Sequence, residues 1–373
     1  MIDVCDPHFG RKQDTIMVKN DILPECGLPE LNSRTYDLVN RMNYASEFAQ
    51  KNNHSLVIAG DVFNIVSPST RTISIFNAWL GRTLKMGVVV YIMPGNHDST
   101  VTWVNSGMLM GLESVITNFY IIDRVSIWEI DGMRVLMIPH IPRDLITPDS
   151  FSILKEADKY DLVVGHGQIV GSSYDNDCFY EAGKAVEFTY GMFPENTQVV
   201  LGHEHAYKVY KGEGNVRVYY PGSVVENNFG EAGDEKRFAV VTNGVISFEN
   251  YPDLKYPYMN IDIDLTEKDF SYTPDDIRDI CQGKVIKVRA TAKDALAVNQ
   301  VKISQVITEA GGYVVRFETI LLESEERTDV SMITNHDHRA LLKKYLAGQD
   351  DLTKAERDEA YLIGEKVIEG GAE

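Results

Sequence analysis

The chain has 373 residues, 44% hydrophobic and 24% charged, with no long low-complexity tract. That is enough apolar material for one sizeable core and two or three units, and it excludes a disordered or fibrous class. A formal net charge of -19 argues against broad electrostatic binding of nucleic acid without excluding it; local basic groups or bound cations can still supply contact with a phosphate backbone.

Four dispersed cysteines (Cys5, Cys26, Cys178 and Cys281) form no CxxC pair, which points to a reducing compartment rather than to a disulfide framework or a zinc ribbon. The longest apolar runs are as short as Val88 to Met93, far below the roughly 20 residues of a membrane span, so no membrane association is expected. No signal peptide is expected either, because a candidate catalytic segment already begins at Asp6.

In chain order, residues 34–51 are predicted to form a helix with Val39, Met42, Ala45, Phe48 and Ala49 on one face. A buried strand follows at 55–60. A second helix at 70–86 aligns Ile73, Phe76, Leu80 and Leu84, and another buried strand covers 88–93. After residue 115 strands dominate, at 119–122, 125–130, 134–139, 161–165, 198–202, 206–211, 216–220, 238–242 and 245–249. The fold class expected is α/β: two packed mixed sheets flanked by helices. Residues 251–257 read as a linker. A strand at 285–290, a helix at 294–310 stopped by Gly311-Gly312, and a strand at 313–320 make a small α/β domain. Two helical stretches, about 336–347 and 353–369, form a tail, the second opening on the capping box Thr353-Lys354-Ala355-Glu356. The expected domains are therefore 1–252, 256–322 and 330–373.

The chemistry-bearing residues sit where apolar strands end. Asp6 and His8 close the first segment, Gly60-Asp61 the next, then Gly95-Asn96-His97-Asp98, Gly165-His166 and Gly202-His203-Glu204-His205. Glycine lets the chain turn sharply or lets another group approach closely, and parallel strands deliver the following polar residue to one sheet edge. Imidazole, carboxylate and amide oxygen suit manganese, iron or zinc, and one carboxylate can bridge two ions about 3.5–4 Å apart. Singly these motifs are weak: His8, or His203 with His205, could be core or surface histidines. The ordered set points to a dinuclear metal centre.

The same series resembles the calcineurin-like metallophosphoesterase superfamily. Tyr220-Pro221-Gly222-Ser223, Asn228-Phe229-Gly230-Glu231 and Ile138-Pro139-His140-Ile141-Pro142 are similar to segments of SbcD-type nucleases, components of a double-strand-break repair complex with an SbcC-type ATPase. The resemblance implies one metal held by Asp6, His8, Asp61 and His205, and a second held by Asp61, Asn96, His166 and His203. It implies that His97 contacts the scissile phosphate and that Asp98 orients His97. It also implies two divalent ions, most simply Mn2+ with Mg2+, Fe2+ or Zn2+ as alternatives. By the same resemblance the middle domain is a cap that helps hold DNA, and the tail docks on the ATPase. A homodimer and a cytoplasmic location, in a bacterial, archaeal or phage-infected cell, are further implications. Asn64 departs from relatives, which carry His or Asp at that place.

The activity expected is hydrolysis of DNA phosphodiesters, as a 3′–5′ exonuclease and a single-strand or hairpin endonuclease. A small-molecule phosphodiesterase or phosphomonoesterase on the same scaffold is the alternative enzyme. An interaction subunit without catalysis is the alternative of another class, with Leu341, Leu342, Tyr345, Leu346, Tyr361, Leu362, Val367 and Ile368 as an exposed docking face.

Overall fold

The computed structural model describes residues 1–98, 117–141, 146, 150–170, 186–294, 298–322 and 361. Apart from Tyr361, which is helical, the expected tail helices therefore lie outside the described residues. Met1–Ile320 pack as one compact unit and Leu321–Glu373 make a second.

Two six-stranded sheets dominate the first unit. One has the order Val245–Asn250, Arg237–Thr242, Ile2–Val4, Leu56–Ala59, Val90–Met93, Phe119–Ile121. Its last four strands are mutually parallel, and Arg237–Thr242 runs antiparallel to Ile2–Val4. The other has the order Lys208–Lys211, Arg217–Tyr220, Gln198–Gly202, Leu162–His166, Met133–Ile138, Ser126–Ile130. Its four central strands are parallel and both edges antiparallel. Parallel strands covered on both faces read as continuous apolar runs, as Leu56–Ala59 and Leu162–His166 do.

Alternation along these strands divides the interior into layers. Val57, Ala59, Met93, Met137, Val164 and Val200 meet between the two sheets. Leu56, Ile58, Val90 and Ile92 face the opposite way, toward two helices. The first helix, Ser33–Asn52, starts where the Asn32 side chain accepts from the Thr35 N–H, and it ends at Asn53 in the left-handed conformation. Val39, Met42, Ala45 and Ala49 are buried as expected, and Phe48 is half-buried.

The second helix, Thr70–Lys85, is rotated from the expected face. Ile75, Phe76, Trp79 and Leu80 are buried, whereas Ile73 and Leu84 lie at the margins. Trp79 decides the rotation: it is fully buried, with its ring 6.0 Å from Phe9 and 5.9 Å from Phe76. An indole is the largest apolar body on that helix, and burying it outweighs aligning two aliphatics.

Beyond the linker, Tyr258–Asp264, Val285–Ala292 and Tyr313–Leu321 form a three-stranded sheet. The helices Pro274–Cys281 and Gln300–Glu309 accompany it, and the group encloses its own cluster of Phe270, Cys281, Ile286, Val288, Ile303 and Ile307. The strand Tyr258–Asp264 and the helix Pro274–Cys281 were not foreseen. The strand does alternate, with Met259, Ile261 and Ile263 packed against the cluster, but polar residues separate them and hide a short run. This small sheet meets the larger body in part through the turn Phe229–Glu231: the Phe229 and Tyr258 rings are 4.4 Å apart, and Asn260 Nδ2 donates to the Phe229 carbonyl at 2.8 Å; Tyr258 N–H also donates to Glu226, and Arg316 to Asp14.

Candidate metal centre

The parallel strands of both sheets end at the same edge, and the expected residues converge there. Asp6, His8 and His205 place one donor atom each within 4.8 Å of one another. The same holds for His8, Asp61 and His97, and for Asp6, Asp61 and His166. Asn96 joins them: its Oδ1 lies 2.9 Å from His166 Nε2 and 3.2 Å from His203 Nδ1. Gly95 permits this crowding, since a Cβ there would fall 2.1 Å from Asp61 Oδ1.

The backbone at the site is strained in a way no motif announces. Asp6, His8 and Asp61 have φ near +50°, and His203 has φ of +105°. Non-glycine residues held there cost of order 1–3 kcal/mol each and persist where surrounding packing enforces them, typically at functional sites.

Tautomers follow from fixed acceptors. His166 Nδ1 donates to the Ala59 carbonyl at 3.0 Å, so its Nε2 presents a lone pair toward Asn96 Oδ1. His205 Nδ1 donates to Glu231 Oε1 at 2.9 Å, so its Nε2 lone pair faces His8 Nε2 at 3.0 Å. Fixing one ring nitrogen as a donor is how ligating imidazoles are prepared.

Burial pushes the imidazoles of His8 and His166 below their ordinary range and that of His203 down to about 3. Burial thus favours the neutral form, the one able to ligate. Burial, with Asp61 nearby, pushes the Asp6 carboxyl well up. Burial also pushes Asp61 up, but the imidazoles of His166, His8 and His97 outweigh it and hold that carboxyl below the usual range. Asp6 Oδ1 and His8 Nδ1 are buried with no hydrogen-bond partner among the described residues. Buried carboxylates, facing lone pairs and unpartnered polar atoms in one pocket are stabilised by divalent cations, so the donor set fits a metal pair.

His97 stands at the mouth with its side chain 45% exposed. Its Nδ1 faces the Asn64 carbonyl at 2.9 Å, and its Nε2 lies 3.9 Å from Asp61 Oδ2. The Asp98 carboxylate accepts from the backbone N–H groups of Val62, Phe63 and Gly95, each at 2.9 Å. It therefore laces together the two loops that carry Asp61 and His97. A carboxylate has about four acceptor sites, and three backbone donors in these turns reach it. Burial, with Asp61 adding to it, pushes its carboxyl up to about 7.

Two further groups at this edge carried no role in the sequence reading. His140 is one strand over from His166, is buried, and has an Nδ1 without a hydrogen-bond partner among the described residues. Burial pushes its imidazole down to about 4. Glu231 meets His205 from 26 residues along the chain. Nothing local in sequence announces either contact.

Residues 6–207 match the model of the calcineurin-like phosphoesterase family. The DNA double-strand break repair protein Mre11 of Archaeoglobus fulgidus is 26% identical over 88% of this chain and 78% of its own length. The SbcD component of the SbcCD nuclease of Escherichia coli K12 is 26% identical over 54% of this chain, and the match spans 58% of that relative, less than two thirds of it. A dimetal phosphatase from Danio rerio has a solved structure that aligns with 67% of this chain and 98% of its own, at 10% identity and a TM-score of 0.38. No described helix is long and apolar enough to cross a membrane. With more than half of its length matched by the family model and the Asp/His cluster assembled at the shared sheet edge, the chain belongs to the calcineurin-like phosphoesterase family of metal-dependent hydrolases.

Proposed function

We propose that this protein is a DNA nuclease that hydrolyses phosphodiesters at a dinuclear, Mn2+-loaded centre. Its expected modes are 3′–5′ exonuclease and single-strand or hairpin endonuclease, with an SbcC-type ATPase as partner. The observation that carries the reading is the convergence of Asp6, His8, Asp61, Asn96, His166, His203 and His205 from two sheets onto one edge. The similarity to Mre11 and SbcD chains supports DNA as the substrate.

In this reading Asp6, His8, Asp61 and His205 hold one ion. Asp61, Asn96, His166 and His203 hold the other, and Asp61 is shared. Bound ions would supply a nucleophilic hydroxide at neutral pH and neutralise charge on the phosphate. His97 presents Nε2 at the open side of the pocket, with its other nitrogen held by Asn64, and contacts the phosphate or the leaving oxygen. Asp98 keeps the loops of Asp61 and His97 in register. Residues 1–252 make the nuclease domain, 256–322 the cap and 330–373 the partner-docking tail.

The test is digestion of end-labelled duplex, hairpin and single-stranded DNA with Mn2+ by the wild type and by His97→Ser. DNA cleavage that falls about 100-fold or more in the variant, with Mn2+ binding retained, supports the assignment. Hydrolysis of a chromogenic phosphodiester with no cleavage of any DNA would instead support a small-molecule phosphodiesterase.

A further inference from the structure

The imidazoles of the centre are not held alike. His166 is fixed by a neutral backbone carbonyl, whereas His205 is fixed by a buried carboxylate. Glu231 Oε1 accepts from His205 Nδ1 at 2.9 Å and from Asn228 Nδ2 at 3.0 Å. Its Oε2 accepts from Lys236 Nζ at 2.8 Å, from the Asn227 N–H at 3.0 Å and from Ser223 Oγ at 3.4 Å. Lys236 Nζ also donates to the His205 carbonyl at 2.7 Å. Both Glu231 and Lys236 are buried. One ion pair thus grips His205 by ring and by backbone, far from the strand motifs that deliver the donor atoms.

A carboxylate can only accept, so it leaves His205 a single tautomer with Nε2 bare, and its charge raises the basicity of that nitrogen. Lys236 balances the carboxylate, which keeps an otherwise costly buried charge ionised.

We propose that Glu231, braced by Lys236, is the positioning residue for the metal on the Asp6–His8–His205 side, and that it sets the affinity of that ion selectively. The proposal rests on the metal-centre reading above. Glu226 supplies the control. It is a buried carboxylate in the same segment, but it accepts from the backbone of Gly233 and Tyr258 and lies 3.7 Å from Arg34; among the described residues it makes no hydrogen bond or ion pair to His205.

The experiment is calorimetric titration of the full-length metal-free chain with Mn2+, with paramagnetic resonance to count bound ions and a thermal melt of each variant. The wild type is expected to bind two ions. Glu231→Gln should weaken one of them 10–100-fold and leave the other unchanged. Glu226→Gln should lower the melting temperature and leave both affinities intact. Should Glu231→Gln melt below the assay temperature, Glu231→Asp makes the same test, since it keeps the charge but withdraws it from His205 Nδ1; selective weakening of the same ion is expected. A folded Glu231 variant that binds both ions like the wild type, or weakens both equally, overturns this proposal alone. A wild type that binds no Mn2+ overturns the metal-centre reading with it.

Discussion

Replacing Gly60 by alanine would put one methyl group into the floor of the pocket. A Cβ there falls 2.0 Å from His166 Nδ1 and 2.4 Å from its Cγ, and Gly60 has φ of +87°. His166 is fully buried and tied through Nδ1 to the Ala59 carbonyl, so it cannot step aside without losing that bond. The left-handed backbone costs an L-residue about 1–2 kcal/mol, overpacking about 1–3 kcal/mol, and the lost hydrogen bond about 1 kcal/mol. The sum is about 3–6 kcal/mol, a large share of the roughly 5–15 kcal/mol that holds a typical domain folded. Gly87 is the matched reference: its φ is +82°, and a Cβ there meets nothing within 4 Å among the described residues. Gly87→Ala carries only the backbone cost, offset by about 0.4–1 kcal/mol from a less flexible unfolded chain. Urea denaturation of both variants, with hydrolysis of a chromogenic phosphodiester in Mn2+, separates the contributions. Gly60→Ala should be less stable than Gly87→Ala by about 2–4 kcal/mol and should be inactive, while Gly87→Ala keeps its activity. Equal destabilisation of the two, or an active Gly60→Ala enzyme, would refute the close-approach argument.

Other consequences are as direct. Trp79→Ala, which empties the space beside the Phe9 and Phe76 rings, should cost about 3–5 kcal/mol in chemical denaturation. Asn64→Ala leaves the carbonyl that faces His97 in place and removes only a 3.5 Å contact with Arg11, so its turnover should stay within a few-fold of wild type. A loss as large as that of His97→Ser would show that the Asn64 side chain itself takes part. Adding Mn2+ to the chelator-treated protein should raise its stability by about 2.7 kcal/mol for each site at a free concentration 100 times its dissociation constant. A melting temperature indifferent to the ion would contradict the donor geometry.

Much of this was legible in the sequence, because parallel strands with Gly-Asp, Gly-Asn-His and Gly-His ends announce both the sheet and the residues delivered to its edge. What escaped depended on three dimensions. The rotation of the helix Thr70–Lys85 followed from a cavity shaped for Trp79, which periodicity alone does not report. The three backbone N–H groups that reach the Asp98 carboxylate stand together only in the folded loops. Glu231 and His205 meet across 26 residues, a separation at which local pattern carries no information. The left-handed backbone at Asp6, His8, Asp61 and His203 likewise has no signature in residue type, since aspartate and histidine occupy many conformations elsewhere.

The turn Phe229–Glu231 belongs to two structures at once. Its first residue stacks on Tyr258 and receives Asn260, both from the opening strand of the small sheet, while its last residue steadies His205. Two peptide units separate these contacts. A tilt of the small sheet that strains the Phe229 contacts acts on the same short span that aims an imidazole into the pocket. The ion on that side is therefore the one whose retention should report strain on the outer lobe.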